Sequence, residues 1–303
     1  MMTKARQNFV EAQQRMLDRY GIEAQSRFFD VPSIGGRAHA LVPGQGPAVV
    51  MVSGVGTPGA MFAPLMRELN GFSLFVVDLP AYGLTDTTPR LAEDIRRSAV
   101  HFLNDVLDAL NLDRPAFMAN SLGSLWSSWL ALDRPKRVGA LVHLGCPALV
   151  LDTSAPLPMR VLSVPTLGRF LTWLQSPSPS QVEQLSKMVN EYPLVPELVD
   201  LLVATERLPG FRGTFLSTLH NLIRLRGSRP EMRLTAEQLE RINQPTLLFW
   251  GENDPFGSPE VGKRMVTKMP TAELHVIGGG HAPWLTQAKQ IGPIAKHFLH
   301  QHI

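Results

Sequence analysis

Three short segments of the chain carry side chains suited to nucleophilic acyl chemistry. The first is Ala119-Asn120-Ser121-Leu122-Gly123. It lies between a predicted strand over residues 115–119 and a predicted, strongly apolar helix over 122–132. A serine on a sharp strand-to-helix turn is held out above a sheet, and small neighbours let the chain turn tightly. Gly123 meets that need on one side and Ala119 on the other. The N–H of Leu122, at the start of the helix, can donate to a developing oxyanion. The second segment is Gly251-Glu252-Asn253-Asp254-Pro255, after a predicted strand over 246–250. A carboxylate at the C-terminal end of such a strand faces the crevice where open α/β sheets bind ligands, so Asp254 can orient a histidine. The third is Gly278-Gly279-Gly280-His281, after a predicted strand over 273–277. Its three glycines make a pliant loop that can present an imidazole.

Other titratable residues fit the pattern less well. Asp152 follows the strand over 138–144 and is an alternative position for the acid; Glu252 is a local competitor of Asp254. His143 and His275 fall inside predicted strands and read as core or sheet-face residues. Cys146, the only cysteine, excludes an intramolecular disulfide and a Cys-rich zinc site. It reads as a small buried hydrophobe. Arg224, Arg226, Arg229 and Arg233 form a basic cluster that reads as a solvated face. There is no P-loop, no HExxH, and no GxGxxG opening a first βαβ unit, so neither a metal nor a nucleotide cofactor is expected.

The elements that must position these groups can be read from periodicity. Residues 27–31 and 39–42 form two short strands around Ser33-Ile34-Gly35-Gly36. Residues 48–53 and 72–77 are continuous apolar runs, as expected of parallel strands covered on both faces. A helix is expected between them over 61–69. Over 91–112, Leu91, Ile95, Ala99, Phe102, Leu103, Val106, Leu107 and Leu110 follow a 3.6-residue period. Alternating strands and helices argue an α/β fold with a mostly parallel sheet. From residue 148 to 240 the pattern changes. Prolines punctuate helical stretches at 158–174, 179–190, 196–204 and 215–225, and no strand stands out. A last helix is expected over 288–301. The N-terminal stretch 3–20 reads as an amphipathic packing helix. The expected organisation is an extension at 1–24, a core at 25–147 and 241–303, and a helical insertion at 148–240.

Composition sets outer limits. The 303 residues are 44% hydrophobic and 18% charged, which suits a globular chain with a sizeable core. A net charge of +3 is too slight to predict a nucleic-acid footprint. No run approaches the ~18 apolar residues of a membrane span, and the N-terminal stretch has no apolar h-region. The expectation is a cytoplasmic protein with a small-molecule substrate and no membrane span, its oligomeric state open.

Taken together, the three segments run in the order Ser, Asp, His, and each follows a predicted strand. In this the chain resembles the α/β-hydrolase fold family, whose triad has that order. The resemblance extends from about residue 26 to the end. It includes Ser53-Gly54-Val55-Gly56 after the third strand, the loop from Asp78 to Asp86, and the insertion placed where the family carries a helical lid. Departures are Ser53 where relatives carry histidine, Ala81-Tyr82 in the loop after Asp78, and Ser124 where many relatives have a second glycine. The resemblance implies a cofactor-free serine hydrolase of carboxylesterase type. Ser121 would be nucleophile, His281 base and Asp254 acid, with the backbone N–H groups of Val55 and Leu122 as oxyanion hole. Two alternatives follow from the same resemblance. One is carbon–carbon bond hydrolysis of the meta-cleavage-product type, which Asn120 and Gly54-x-Gly56 resemble. Against it, Trp284 stands three residues past His281 and no lid arginine is identifiable. The other is a non-catalytic ligand receptor on the same fold.

Overall fold

The computed structural model describes residues 3–89 and 93–303. Its centre is an eight-stranded sheet. After the helix α1 (Lys4–Arg19) come β1 (Ala24–Val31), β2 (Gly36–Pro43), β3 (Ala48–Val52), the short helix α2 (Ala63–Glu68) and β4 (Ser73–Val77). Then follow α3 (Ile95–Ala109), β5 (Ala116–Asn120), α4 (Leu122–Asp133) and β6 (Leu141–Leu144). A predominantly helical segment holds α5 (Leu157–Leu162), α6 (Pro165–Leu174), α7 (Pro179–Met188), α8 (Pro196–Glu206) and α9 (Phe211–Leu222). It ends in a tiny hairpin, β7 (Ile223–Arg224) and β8 (Gly227–Ser228). The chain returns to the sheet through α10 (Ala236–Leu239), β9 (Thr246–Gly251), α11 (Pro259–Lys268), β10 (Ala272–Ile277) and α12 (Trp284–His302).

The strand order is β1-β2-β4-β3-β5-β6-β9-β10. Within this sheet β1–β2 and β2–β4 pair antiparallel and the other neighbours pair parallel. The centre of the sheet explains its sequence. Residues of β5, β6 and β9 are buried on both faces, so these strands read as unbroken apolar runs. Edge strand β1 is mostly exposed and carries Gln25, Ser26 and Arg27 instead. Parallel pairing brings the ends of β5, β6 and β9 level, with Asn120 opposite Leu144 and Leu144 opposite Phe249. The loops that follow those strands therefore meet at one edge.

Among the differences from expectation, three have local reasons. The stretch 158–174 is two helices, because Pro165 begins a new one and Ser163 closes the one before. Strand β6 starts at Leu141 rather than 138; the Gly139 N–H turns to the carbonyl of Pro115. The insertion does contain strands, but β7 and β8 have two residues each, too few for any period to register. The beginning of the helix expected over 91–112, Leu91 included, lies outside the described residues. From Asp94 on, that helix is capped by the Asp94 carboxylate accepting from the Arg97 N–H.

Candidate active site

Ser121 sits between β5 and α4 at φ 50° and ψ −109°. A non-glycine residue at that φ is strained, and close packing around the turn holds it there. A Cβ on Gly123 would stand 2.2 Å from the carbonyl oxygen of Val52. One on Gly54 would stand 2.9 Å from Asn120 Oδ1 and 3.2 Å from Ser121 Cβ. Only glycine lets the loop after β3 and the start of α4 approach this turn. Leu122 opens α4, so its N–H is one of the amides with no intrahelical partner. Val55 lies on the facing loop, and Gly54, Val55, Ser121 and His281 line one cavity.

The acid and the imidazole are joined. His281 Nδ1 lies 3.0 Å from Asp254 Oδ1 and 2.9 Å from Oδ2. The carboxylate is fully buried. It also accepts from the N–H of Cys146 at 2.8 Å and of Phe256 at 2.9 Å. These amides fix the carboxylate plane, and the Phe256 ring stacks on the imidazole at 3.9 Å between centroids. With Nδ1 engaged, Nε2 is the buried nitrogen left without a partner among the described residues. That is the state a general base needs before it meets its proton donor. Asn120 ties the Ser121 turn to the His281 loop: its Nδ2 donates to the carbonyls of Leu144 at 2.6 Å and His281 at 3.0 Å.

The competing residues stand elsewhere. Asp152 is exposed and pairs with Arg264 at 2.7 Å, which holds its carboxyl below the usual range. Glu252 is exposed. Cys146 is fully buried, and burial pushes its thiol well up, away from the reactive thiolate. His143 is buried, and among the described residues neither of its ring nitrogens has a partner. His275 lies on β10 against Phe249. Arg224 and Arg229 pair with Glu231, and Arg233 donates to Ser228. That cluster braces the β7–β8 hairpin.

The departures from the family pattern also have structural partners. Ser53 donates to the Thr57 carbonyl at 2.6 Å and braces the loop it belongs to. Ser124 donates back to the Ala119 carbonyl at 2.8 Å, across the Ser121 turn. Tyr82 is buried, sets its ring edge-on against Phe211, and donates to Thr218 on α9. Trp284 is a core residue: it packs on Phe62 and donates to the Met61 carbonyl at 3.1 Å.

The cavity has a volume of about 710 Å³. Ser121 and His281 line it, and the rest of its lining is mostly Leu, Val, Met and Phe, many of them from α5 to α9. Leu157 and Leu185 line it and are also exposed, so it opens beside them. Three wall residues carry charge: Glu191, Glu206 and Arg212. Glu191 had no signal in the sequence. It follows α7 in no recognisable motif, and only the folded insertion brings it to the histidine.

Comparison with known proteins agrees with this architecture. The profile described as alpha/beta hydrolase fold matches residues 47–189. The chain is similar to a 2-hydroxy-6-oxononadienedioate/2-hydroxy-6-oxononatrienedioate hydrolase of a Pseudomonas species, 26% identical over 90% of this chain and 96% of that one. It is also similar to a pimeloyl-(acyl-carrier protein) methyl ester esterase of Shewanella oneidensis, 27% identical over 83% and 90% of the two chains. Among solved structures, a carboxylesterase from Bacillus subtilis superposes with a TM-score of 0.79 at 20% identity, covering 99% of this chain and all of that one. The protein is an α/β hydrolase by fold, and its relatives in sequence are hydrolases. No helix among the described residues is long and apolar enough to cross a membrane.

Proposed function

We propose that this protein is a serine hydrolase that cleaves carboxylic esters with small to medium apolar or aromatic groups. The observation that carries the reading is the strained Ser121 and the free Nε2 of His281 lining one apolar cavity. Ser121 Oγ attacks the ester carbonyl carbon while His281 Nε2 takes its proton. Asp254 keeps the Nδ1–H tautomer and stabilises the imidazolium. The N–H groups of Val55 and Leu122 hold the oxyanion. His281 then protonates the departing alcohol. Water, deprotonated by the same nitrogen, hydrolyses the acyl-enzyme and returns Ser121.

A second reading, carbon–carbon hydrolysis of a dienedioate, is favoured by the names of two relatives in sequence. The cavity charge speaks against it. A substrate with two carboxylates would enter a wall holding the carboxyls of Glu191 and Glu206 and one cation, the exposed Arg212. Burial pushes both carboxyls up, toward the neutral acid, so neither offers a positive charge to a substrate carboxylate. The deciding experiment measures p-nitrophenyl esters and a dienedione ring-fission product side by side on one preparation. The ester reading expects the best ester to be faster. Dienedione turnover exceeding every ester by tenfold, about 1.4 kcal/mol of barrier, overturns it and leaves the Ser–His–Asp roles standing.

A further inference from the structure

The segment after α7 is laid along the loop that carries His281. The His281 N–H donates to the carbonyl of Val189 at 3.0 Å. Asn190 Nδ2 donates to the carbonyl of Asn253, next to the candidate acid, at 2.7 Å. The approach is close: a Cβ on Gly280 would stand 2.2 Å from the Val189 oxygen. At the end of this segment Glu191 is 4% exposed. One oxygen, Oε1, accepts from the N–H of Gly280 at 2.8 Å and from the N–H of Ala282 at 2.8 Å. These are the two amides on either side of His281. A buried carboxylate that chelates both flanks of one residue restricts that residue's backbone, and so the direction in which its side chain leaves the loop. The glycines at 278–280 supply little stiffness of their own.

From this geometry we infer that Glu191 is the positioning residue for His281, so that the insertion holds the candidate base in place as well as covering the cavity. The inference rests on His281 acting as the base toward Ser121. Burial raises the Glu191 carboxyl to about 7, against the pull of the two amides and of His281. The group is retained there despite a cost, in contact with the one loop whose orientation the chemistry needs.

The test compares Glu191→Ala, Glu191→Gln and Glu191→Asp in the full chain, using the best p-nitrophenyl ester and a phosphonate that labels the active serine. Glutamine keeps an acceptor oxygen at the same reach. Aspartate is one methylene shorter and cannot span both amides from this backbone. Glu191→Ala is expected to lose at least tenfold in kcat with KM within about twofold, and the rate of phosphonate labelling should fall in parallel. Glu191→Gln should stay within about threefold of the parent at pH 8. Glu191→Asp should fall with the alanine variant. If alanine does not fold, glutamine and aspartate decide the matter. Equal kcat for those two, or a loss expressed in KM alone, overturns the inference. Failure of the underlying reading looks different: Ser121→Ala would keep its activity whatever Glu191 does.

Discussion

Among the described residues one Ser–His–Asp set has every link made, and it lies outside the cavity that Ser121 and His281 line. Ser26 Oγ lies 2.8 Å from His39 Nε2, and His39 Nδ1 lies 2.7 Å from Asp78 Oδ2. Every link there is made, yet Ser26 sits within edge strand β1, opposite Leu41, with no helix start beside it. Asp78 also accepts from the N–H groups of Gly59 and Leu84, so its carboxylate gathers loops. Ser121 instead has a strained backbone, a helix N-terminus and a cavity above it. Ser121→Ala should therefore stay folded and lose kcat by roughly 10⁶-fold, while Ser26→Ala keeps the parent rate. A phosphonate adduct found by mass spectrometry on Ser26 would reverse the assignment. Asp254→Asn should lower kcat by about 10⁴-fold, because asparagine favours the wrong imidazole tautomer. Asp152→Asn should stay near the parent, since that carboxylate is spent on Arg264. A crippling Asp152→Asn with a mild Asp254→Asn would reassign the acid. The positions of Ser121, Asp254 and His281 just after strands were legible in the sequence because β5, β9 and β10 each register as a strand signal a few residues earlier. Glu191 was not, because its partner is 90 residues away through a helical insertion with no local signature.

The elements around the turn tolerate little change. In Gly123→Ala the new methyl meets the Val52 carbonyl at 2.2 Å, and the backbone of Val52 and Ser53 leaves it no room. Overpacking of this kind typically costs ~1–3 kcal/mol, and here it falls on the turn that sets Ser121. Thermal denaturation should show the loss, and phosphonate labelling should slow beyond what the lower stability explains. A Gly123→Ala protein that labels at the parent rate would show that the turn has slack. The strands of the sheet centre were readable as apolar runs. Helix α11 was not: only Gly262 and Met265 are buried along it, too few to mark a face. The insertion's helices make their own prediction. Walls of Leu, Met and Phe stabilise an acyl chain by ~0.8 kcal/mol per buried methylene, about fourfold each. The kcat/KM of p-nitrophenyl esters should rise from acetate to butyrate or hexanoate and then fall as the 710 Å³ cavity fills. A flat series would mean that the acyl chain points out through the opening beside Leu157 and Leu185.

At the scale of the whole molecule, insertion and core are joined at several points, and one of them is sensitive to pH. Helix α1 packs on α8 of the insertion and pairs Arg15 with Asp200 and Arg19 with Glu197. These are exposed pairs worth little each; the buried face of Phe9, Met16 and Leu17 holds the helix. Two buried groups contribute to the pH response with opposite sign. Burial lowers His143 from 6.5 to about 4, so the folded chain resists a proton that the unfolded chain accepts. That contribution to stability is full above pH 6.5 and is lost as pH falls toward 4. Burial raises Glu191 from 4.5 to about 7, so the folded chain keeps a proton that the unfolded chain releases. Its destabilising effect is full above pH 7 and disappears as pH falls to 4.5. Each shift corresponds to on the order of 3 kcal/mol, so between pH 6.5 and 4.5 the two nearly cancel. Single substitutions uncouple them. Glu191→Gln keeps the amide contacts but removes the compensating group, so its Tm should drop relative to the parent as pH goes from 7 to 5. His143→Leu removes the opposing group, and its Tm should climb relative to the parent over the same interval. Titrations common to all three proteins cancel in these differences. Differences that stay constant from pH 7.5 to 4.5 in both variants would show that neither group carries the response.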